Sequence, residues 1–180
     1  MEDIHMDIQE QLWQKCVGFH GHECGGLLIG FRASLYAMEL LDLGYSADEE
    51  VTCIAENDAC GVDAIQVILG CSVGKGNLLF KLRGKQAFNF YDRKTGKSIR
   101  LLLRETGPME KEEKCRYLKE QPAERLFEIK TPAQEFPEKA RIFRSVRCDC
   151  CKEMTSENMI RLQDGKQVCL DCFSPYSRFL

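Results

Sequence analysis

Residues 51–77 read VTCIAENDACGVDAIQVILGCSVGKGN, and the order of elements within them decides the fold class. Val51 to Glu56 is a short β-prone run, Asn57 or Asp58 can cap a helix over Ala59 to Leu69, Gly70 stops that helix, and a glycine-rich turn follows. Upstream, Leu28, Phe31, Leu35, Met38 and Leu41 recur at threes and fours, which predicts a core helix from Leu27 to Leu43 with Gly44 as its stop. Residues 7–15 predict a short amphipathic helix on Ile8 and Leu12. Downstream, Leu78 to Arg83, Gln86 to Asp92 and Lys97 to Arg104 read as strands, the last two joined by a Lys94-Thr95-Gly96 turn. Two helices, a strand, a helix and then a run of strands predict an α+β core, its helices packed on a mostly antiparallel sheet.

Beyond Glu105 the chain is charged and carries four of its five prolines up to Arg147. Short helices are expected at Lys111 to Lys119 and near Glu124, followed by a linker. The expected organisation is a core over residues 1–130, a linker over 131–144 and a small zinc finger over 145–180.

The finger rests on Cys148-Asp-Cys-Cys151 and, after 17 residues, Cys169-Leu-Asp-Cys172. Two C-x-x-C pairs at that separation match four thiolates closing a tetrahedron around a structural zinc, with no position left for substrate. Met159 to Val168 predicts a β-hairpin with Asp164-Gly165 at its tip, which returns the chain to the metal. Cys150 is either a spectator or an alternative ligand. About 30 residues bury too little apolar surface to fold alone, so the metal supplies the folding energy.

The second cluster is Cys16-Val-Gly-Phe-His20-Gly-His22-Glu-Cys24, four soft or borderline ligands within nine residues. If this segment is extended, His20, His22 and Cys24 share a face. Cys24 precedes a long helix, where the dipole favours a thiolate, and Cys60 repeats that placement. His22 and Cys24 are candidates for a second transition metal or a nucleophile, His20 for a second ligand or base, and Asp63 for an orienting carboxylate. Cys53 and Cys115 read as buried small hydrophobes. Gly70-Cys-Ser-Val-Gly-Lys75-Gly-Asn77 is not a phosphate loop, because its spacing is one short and no Ser or Thr follows Lys75. Cys71, Lys75 and Asn77 remain as candidate contacts for a small anionic ligand.

Eleven cysteines in 180 residues, an odd number, fit metal or thiol chemistry in a reducing compartment better than disulfides. The N-terminus is acidic and lacks an apolar signal segment, and the longest stretch without a charge, Ala64 to Gly74, is 11 residues long. Membrane spanning needs about 20. A cytoplasmic protein without membrane contact is expected. The formal charge of −3 divides into −8 over residues 1–84 and +5 over residues 85–180, and the acidic front half disfavours nucleic acid.

The strings C-x3-F-H-G-H-x-C-x-G and D-A-C-x2-D-A-I-Q, with G-C-S-V-G-K-G-N-L, resemble the FmdE family, named for the E-type subunit of formylmethanofuran dehydrogenase, over roughly residues 12 to 105. That resemblance implies an α+β domain that forms a homodimer, with a C-terminal treble-clef zinc finger in some members. It also implies an active site at Cys16, His20, His22, Cys24, Cys60, Asp63 and Cys71, near the glycine-rich loop. The family usually has Pro where this chain has Gly25. The named enzyme reduces CO2 with molybdenum or tungsten, yet no pterin-binding signature or ferredoxin-like cysteine run occurs here. Two roles follow from the resemblance: a metal-dependent oxidoreductase subunit or homologue in one-carbon, methanogenesis-related metabolism, or a non-catalytic accessory module that senses or delivers metal, or docks on a molybdenum or tungsten oxidoreductase.

Overall fold

The computed structural model describes residues 2–178, with residues 2–7 in backbone only. The chain divides into two compact units, Met1–Ala140 and Arg141–Leu180.

In the first unit, α1 (Glu2–His20) turns Trp13 and Cys16 into the core, and Gly21, at a φ of 93°, ends it. α1 runs five residues past the predicted 7–15, so His20 stands in a last helical turn rather than in an extended segment. α2 (Gly25–Leu41) is buried on nearly every side, because α1, α3 and α4 all pack around it. β1 (Val51–Ala55) is wholly buried and leads to α3 (Gly61–Leu69). β2 (Leu78–Phe80), β3 (Ala87–Asp92), β4 (Ser98–Leu103), α4 (Lys111–Glu120), α5 (Ala123–Leu126) and β5 (Phe127–Lys130) complete the unit.

The sheet order is β2-β1-β3-β4-β5, and only the β1–β2 pair is parallel. Mostly antiparallel pairing is therefore as expected. β5 was not expected, because its four residues lie in a charged stretch that alternates too briefly to register. Strand alternation puts Cys53, Ala55, Phe88, Phe90 and Leu101 on the helix-covered face. The opposite face carries Glu56, whose carboxylate takes a bidentate bond from Arg100 at 2.6 and 2.9 Å and a third from Asn89. The guanidinium holds the Glu56 carboxyl down to about 2.

Residues 131–140 do not behave as a linker. Phe136 packs edge-on against Tyr91, and Arg93 donates to the carbonyls of Pro137 and Glu138. The Ala140 amide donates to Glu49, so the core reaches ten residues beyond the expected boundary.

The second unit is two small hairpins, β6 (Ser145–Arg147) with β7 (Met154–Ser156) and β8 (Arg161–Gln163) with β9 (Lys166–Val168). Asp164 and Gly165, both at positive φ, form the predicted tip. Among the described residues no helix is long and apolar enough to cross a membrane.

Candidate functional site

Two groups of metal-ligating side chains stand out among the described residues, one in each unit. In the second unit the sulfurs of Cys148, Cys151, Cys169 and Cys172 lie within 4.8 Å of one another. A tetrahedral zinc with bonds of about 2.3 Å has sulfur–sulfur edges of about 3.8 Å, and Cys151 and Cys169 are 3.8 Å apart. That edge matches a tetrahedral zinc, and the donor set of four gathered thiols suits it. Asp149 ties the knuckles together, its amide donating to the Gln167 carbonyl and its carboxylate accepting from the Gln167 amide. The Cys169 amide donates to the Cys148 sulfur at 3.3 Å, and with the Cys151 and Cys150 amides it draws that thiol down to about 6. Cys150 is exposed and outside the four-sulfur group.

In the first unit His20, His22 and Cys24 bring their donor atoms within 4.8 Å of one another. They meet at a corner: His20 is the last residue of α1, His22 lies in the turn, and Cys24 is the N-cap of α2, its sulfur accepting from the Leu27 amide at 3.3 Å. α2 starts at Gly25 all the same, because the thiol rather than a proline defines its first turn. The two imidazole rings lie 4.5 Å apart, tilted by 37°. His20 divides its nitrogens: Nδ1 is 2.7 Å from Asp63 Oδ2, and Nε2 is 3.7 Å from Cys24 Sγ. Gln66 donates to the other Asp63 oxygen at 3.2 Å.

Cys60 lies beside this three-residue group, brought there by a crossing of glycines. A Cβ on Gly30 would lie 1.9 Å from the Gly61 carbonyl oxygen, so α2 and α3 cross backbone to backbone. A Cβ on Gly26, one turn earlier, would meet the Cys60 side chain at 3.1 Å and the Cys24 sulfur at 3.9 Å. Burial, reinforced by the neighbouring Cys24 sulfur, raises the Cys60 thiol, opposite to the helix-terminus expectation. Beside the cluster opens a cavity of about 400 Å3 whose walls include His20, Cys60, Asp63 and Gln66.

The other predicted residues are placed elsewhere. Cys16 is fully buried in the hydrophobic core, its thiol pushed up to about 11 by burial. Cys71 is likewise buried, donates to the Val51 carbonyl, and is raised to about 12. Lys75 turns its Nζ to the Ser46 carbonyl at 2.7 Å. Asn77 is completely buried and spends its amide on the carbonyls of Asp48 and Val51. None of these four lines the cavity. Gln66 and the Gly26, Gly30 and Gly61 set were missed, although Gly26 and Gly30 stand at the G-x-x-x-G spacing of close helix packing.

The family model described as "FmdE, Molybdenum formylmethanofuran dehydrogenase operon" matches residues 19–157, most of the chain. The chain belongs to the FmdE family. A second model, the prokaryotic dksA/traR C4-type zinc finger, matches residues 141–178, in agreement with the four-sulfur geometry. This FmdE-family chain thus carries a C-terminal four-cysteine zinc site. Its fold resembles the crystal structure of a tungsten formylmethanofuran dehydrogenase FmdE-like protein from Syntrophus aciditrophicus, with a TM-score of 0.69, 27% identity and 91% of each chain covered. A curated relative from Archaeoglobus fulgidus, named a probable S-adenosyl-L-methionine-binding protein, is 29% identical over 88% of this chain. The chain spans about half the length of that relative, 51%.

Proposed function

We propose that the core cluster is a transition-metal centre, with His20, His22, Cys24 and Cys60 as donors and Asp63 as the carboxylate that orients His20. The observation that carries this reading is the division of His20 between its two neighbours. Metal-bound histidine characteristically gives its second ring N–H to a carboxylate, as Nδ1 does to Asp63. A tetrahedral metal bonded to one nitrogen and one sulfur sets them about 3.6 Å apart, and Nε2 and Cys24 Sγ are separated by 3.7 Å. The donor set of imidazole and thiolate suits zinc, iron, nickel or copper. A metal there would act as a Lewis acid or redox centre toward a molecule in the adjoining cavity. The chain's own groups hold it in place: Asp63 fixes the His20 tautomer, and Gln66 fixes Asp63. Cys16, Cys71, Lys75 and Asn77 have no role in this reading.

In this reading the protein is a cytoplasmic homodimer that serves one-carbon oxidoreduction, as a subunit or homologue of a molybdenum or tungsten formylmethanofuran dehydrogenase. The operon named in the family description supports that setting, and it equally supports an accessory module that delivers metal to such an enzyme. Recovery of a molybdopterin enzyme by pulldown from native lysate separates the docking role from a self-contained one. The name of the archaeal relative adds S-adenosyl-L-methionine as a candidate ligand, tested by equilibrium dialysis.

The deciding experiment is elemental analysis after anaerobic purification without added metal. Two metals per chain are expected, one in the finger and one in the core. Asp63→Asn should weaken the core metal by about 10- to 100-fold and leave the finger's zinc in place. One metal per chain, together with rapid alkylation of Cys24 by iodoacetamide, overturns the metal reading in favour of a Cys24 nucleophile with His20 as its base.

A further inference from the structure

The cavity beside the core cluster has a mixed lining. His20, Asp58, Asp63 and Gln66 are its polar residues, and Val62, Val73, Leu78 and Phe80 its large apolar ones. We infer that this cavity binds a small organic molecule with an apolar body and a neutral or cationic polar end, and that it rejects molecules of net negative charge.

Volume sets the size class, since about 400 Å3 lies in the range of small-molecule sites. Charge sets the sign: Asp58 and Asp63 both line the space, and no Lys or Arg among the described residues does. The cation nearest in sequence, Lys75, is withdrawn, with its Nζ on the Ser46 carbonyl and 5.6 Å from the Tyr45 ring centre. A divalent metal in the core cluster would be balanced by the Cys24 and Cys60 thiolates, so an anion here would meet the Asp58 and Asp63 carboxylates with no compensating cation, whereas a cation would gain the carboxylates and an aromatic wall in Phe80. Val73 and Phe80 remain 63% and 44% exposed although they line a concavity, so apolar surface is presented to whatever enters. The acidic front half of the chain reinforces the same preference on approach.

Only the identity of the polar end rests on the metal reading, and the test separates the two. Benzyltrimethylammonium, benzyl alcohol and benzoate share an aromatic body and differ in charge. Their binding to the full chain is measured by calorimetry at about 0.15 M salt, on zinc-loaded and chelator-stripped samples whose metal content is determined in parallel. The ammonium and the alcohol should bind at least tenfold more tightly than benzoate. Val73→Lys places a cation in the wall from an exposed loop position, so it should reverse the order of ammonium and benzoate without changing metal content. Benzoate binding as tightly as the ammonium, or failure of every probe on every sample, overturns the inference. The expected preference on a chain whose core takes up no metal even in the zinc-loaded sample sustains it and removes the metal reading instead.

Discussion

The two cysteine-rich sites of this chain reach similar donor geometry by opposite routes. In the finger, two C-x-x-C knuckles 17 residues apart supply every ligand, and two short hairpins bring them together. In the core, three donors come from the end of α1, a turn and the N-cap of α2, and Cys60 at the N-cap of α3 lies beside them where two helices cross through glycines. The finger closes on itself, with four sulfurs and no open wall. The core cluster has an oriented histidine, a supporting carboxylate and a cavity alongside. A closed set suits folding, and an open supported one suits binding.

The largest effect tests whether the finger depends on its metal. Structural zinc contributes about 10–16 kcal/mol in small domains, so Cys169→Ser should abolish zinc there and open residues 141–180 to protease. The core should keep its own melting transition, measured by calorimetry. Next, Gly30→Ala strikes the helix crossing. Its Cβ meets a carbonyl oxygen at 1.9 Å, so α2 and α3 must separate at a cost of about 3 kcal/mol. The core transition should fall and the core metal be lost while the finger's zinc remains, read by calorimetry and elemental analysis.

Acid should separate the two units further. Zinc is released as its thiolates take up protons, whereas the Glu56–Arg100 pair persists to lower pH. The Glu56 carboxyl is lowered from 4.5 to about 2, so its contribution is fully present above pH 4.5 and is lost as pH falls toward 2. That contribution is on the order of 3 kcal/mol. Glu56→Gln should remove this part of the pH dependence in urea melts between pH 5 and 2 and destabilise the core at neutral pH. The smallest effect concerns Cys150. It is exposed and lies outside the sulfur group, so Cys150→Ser should retain zinc and shift stability by less than about 0.5 kcal/mol.

Legibility in the sequence follows the same division. The finger could be read at once, because its ligands and its hairpin tip are encoded within 25 residues. The α+β class was legible from hydrophobic periodicity, which is local. β5 escaped because four residues in a charged stretch carry too little periodicity, and residues 131–140 read as a linker because their partners, Tyr91 and Arg93, lie some 40 residues away. In the core, His20, His22 and Cys24 are close in sequence and were visible as a group. Their union with Asp63 and Cys60 spans a separation of about 40 residues and depends on helix packing.

By itself the sequence determined the element types, the finger's ligand set and the nucleus of the core cluster, since each depends on side chains close together along the chain, within 25 residues at most for the finger. Only the tertiary structure decided which cysteines face a cavity and which are filler. Cys16 and Cys71 carry the same thiol as Cys24 and Cys60, but they point into the hydrophobic core, where burial holds them protonated. Lys75 and Asn77 likewise have their polar atoms taken by backbone carbonyls of the 46–51 segment, a pairing set by where the folded chain places that segment rather than by any local pattern.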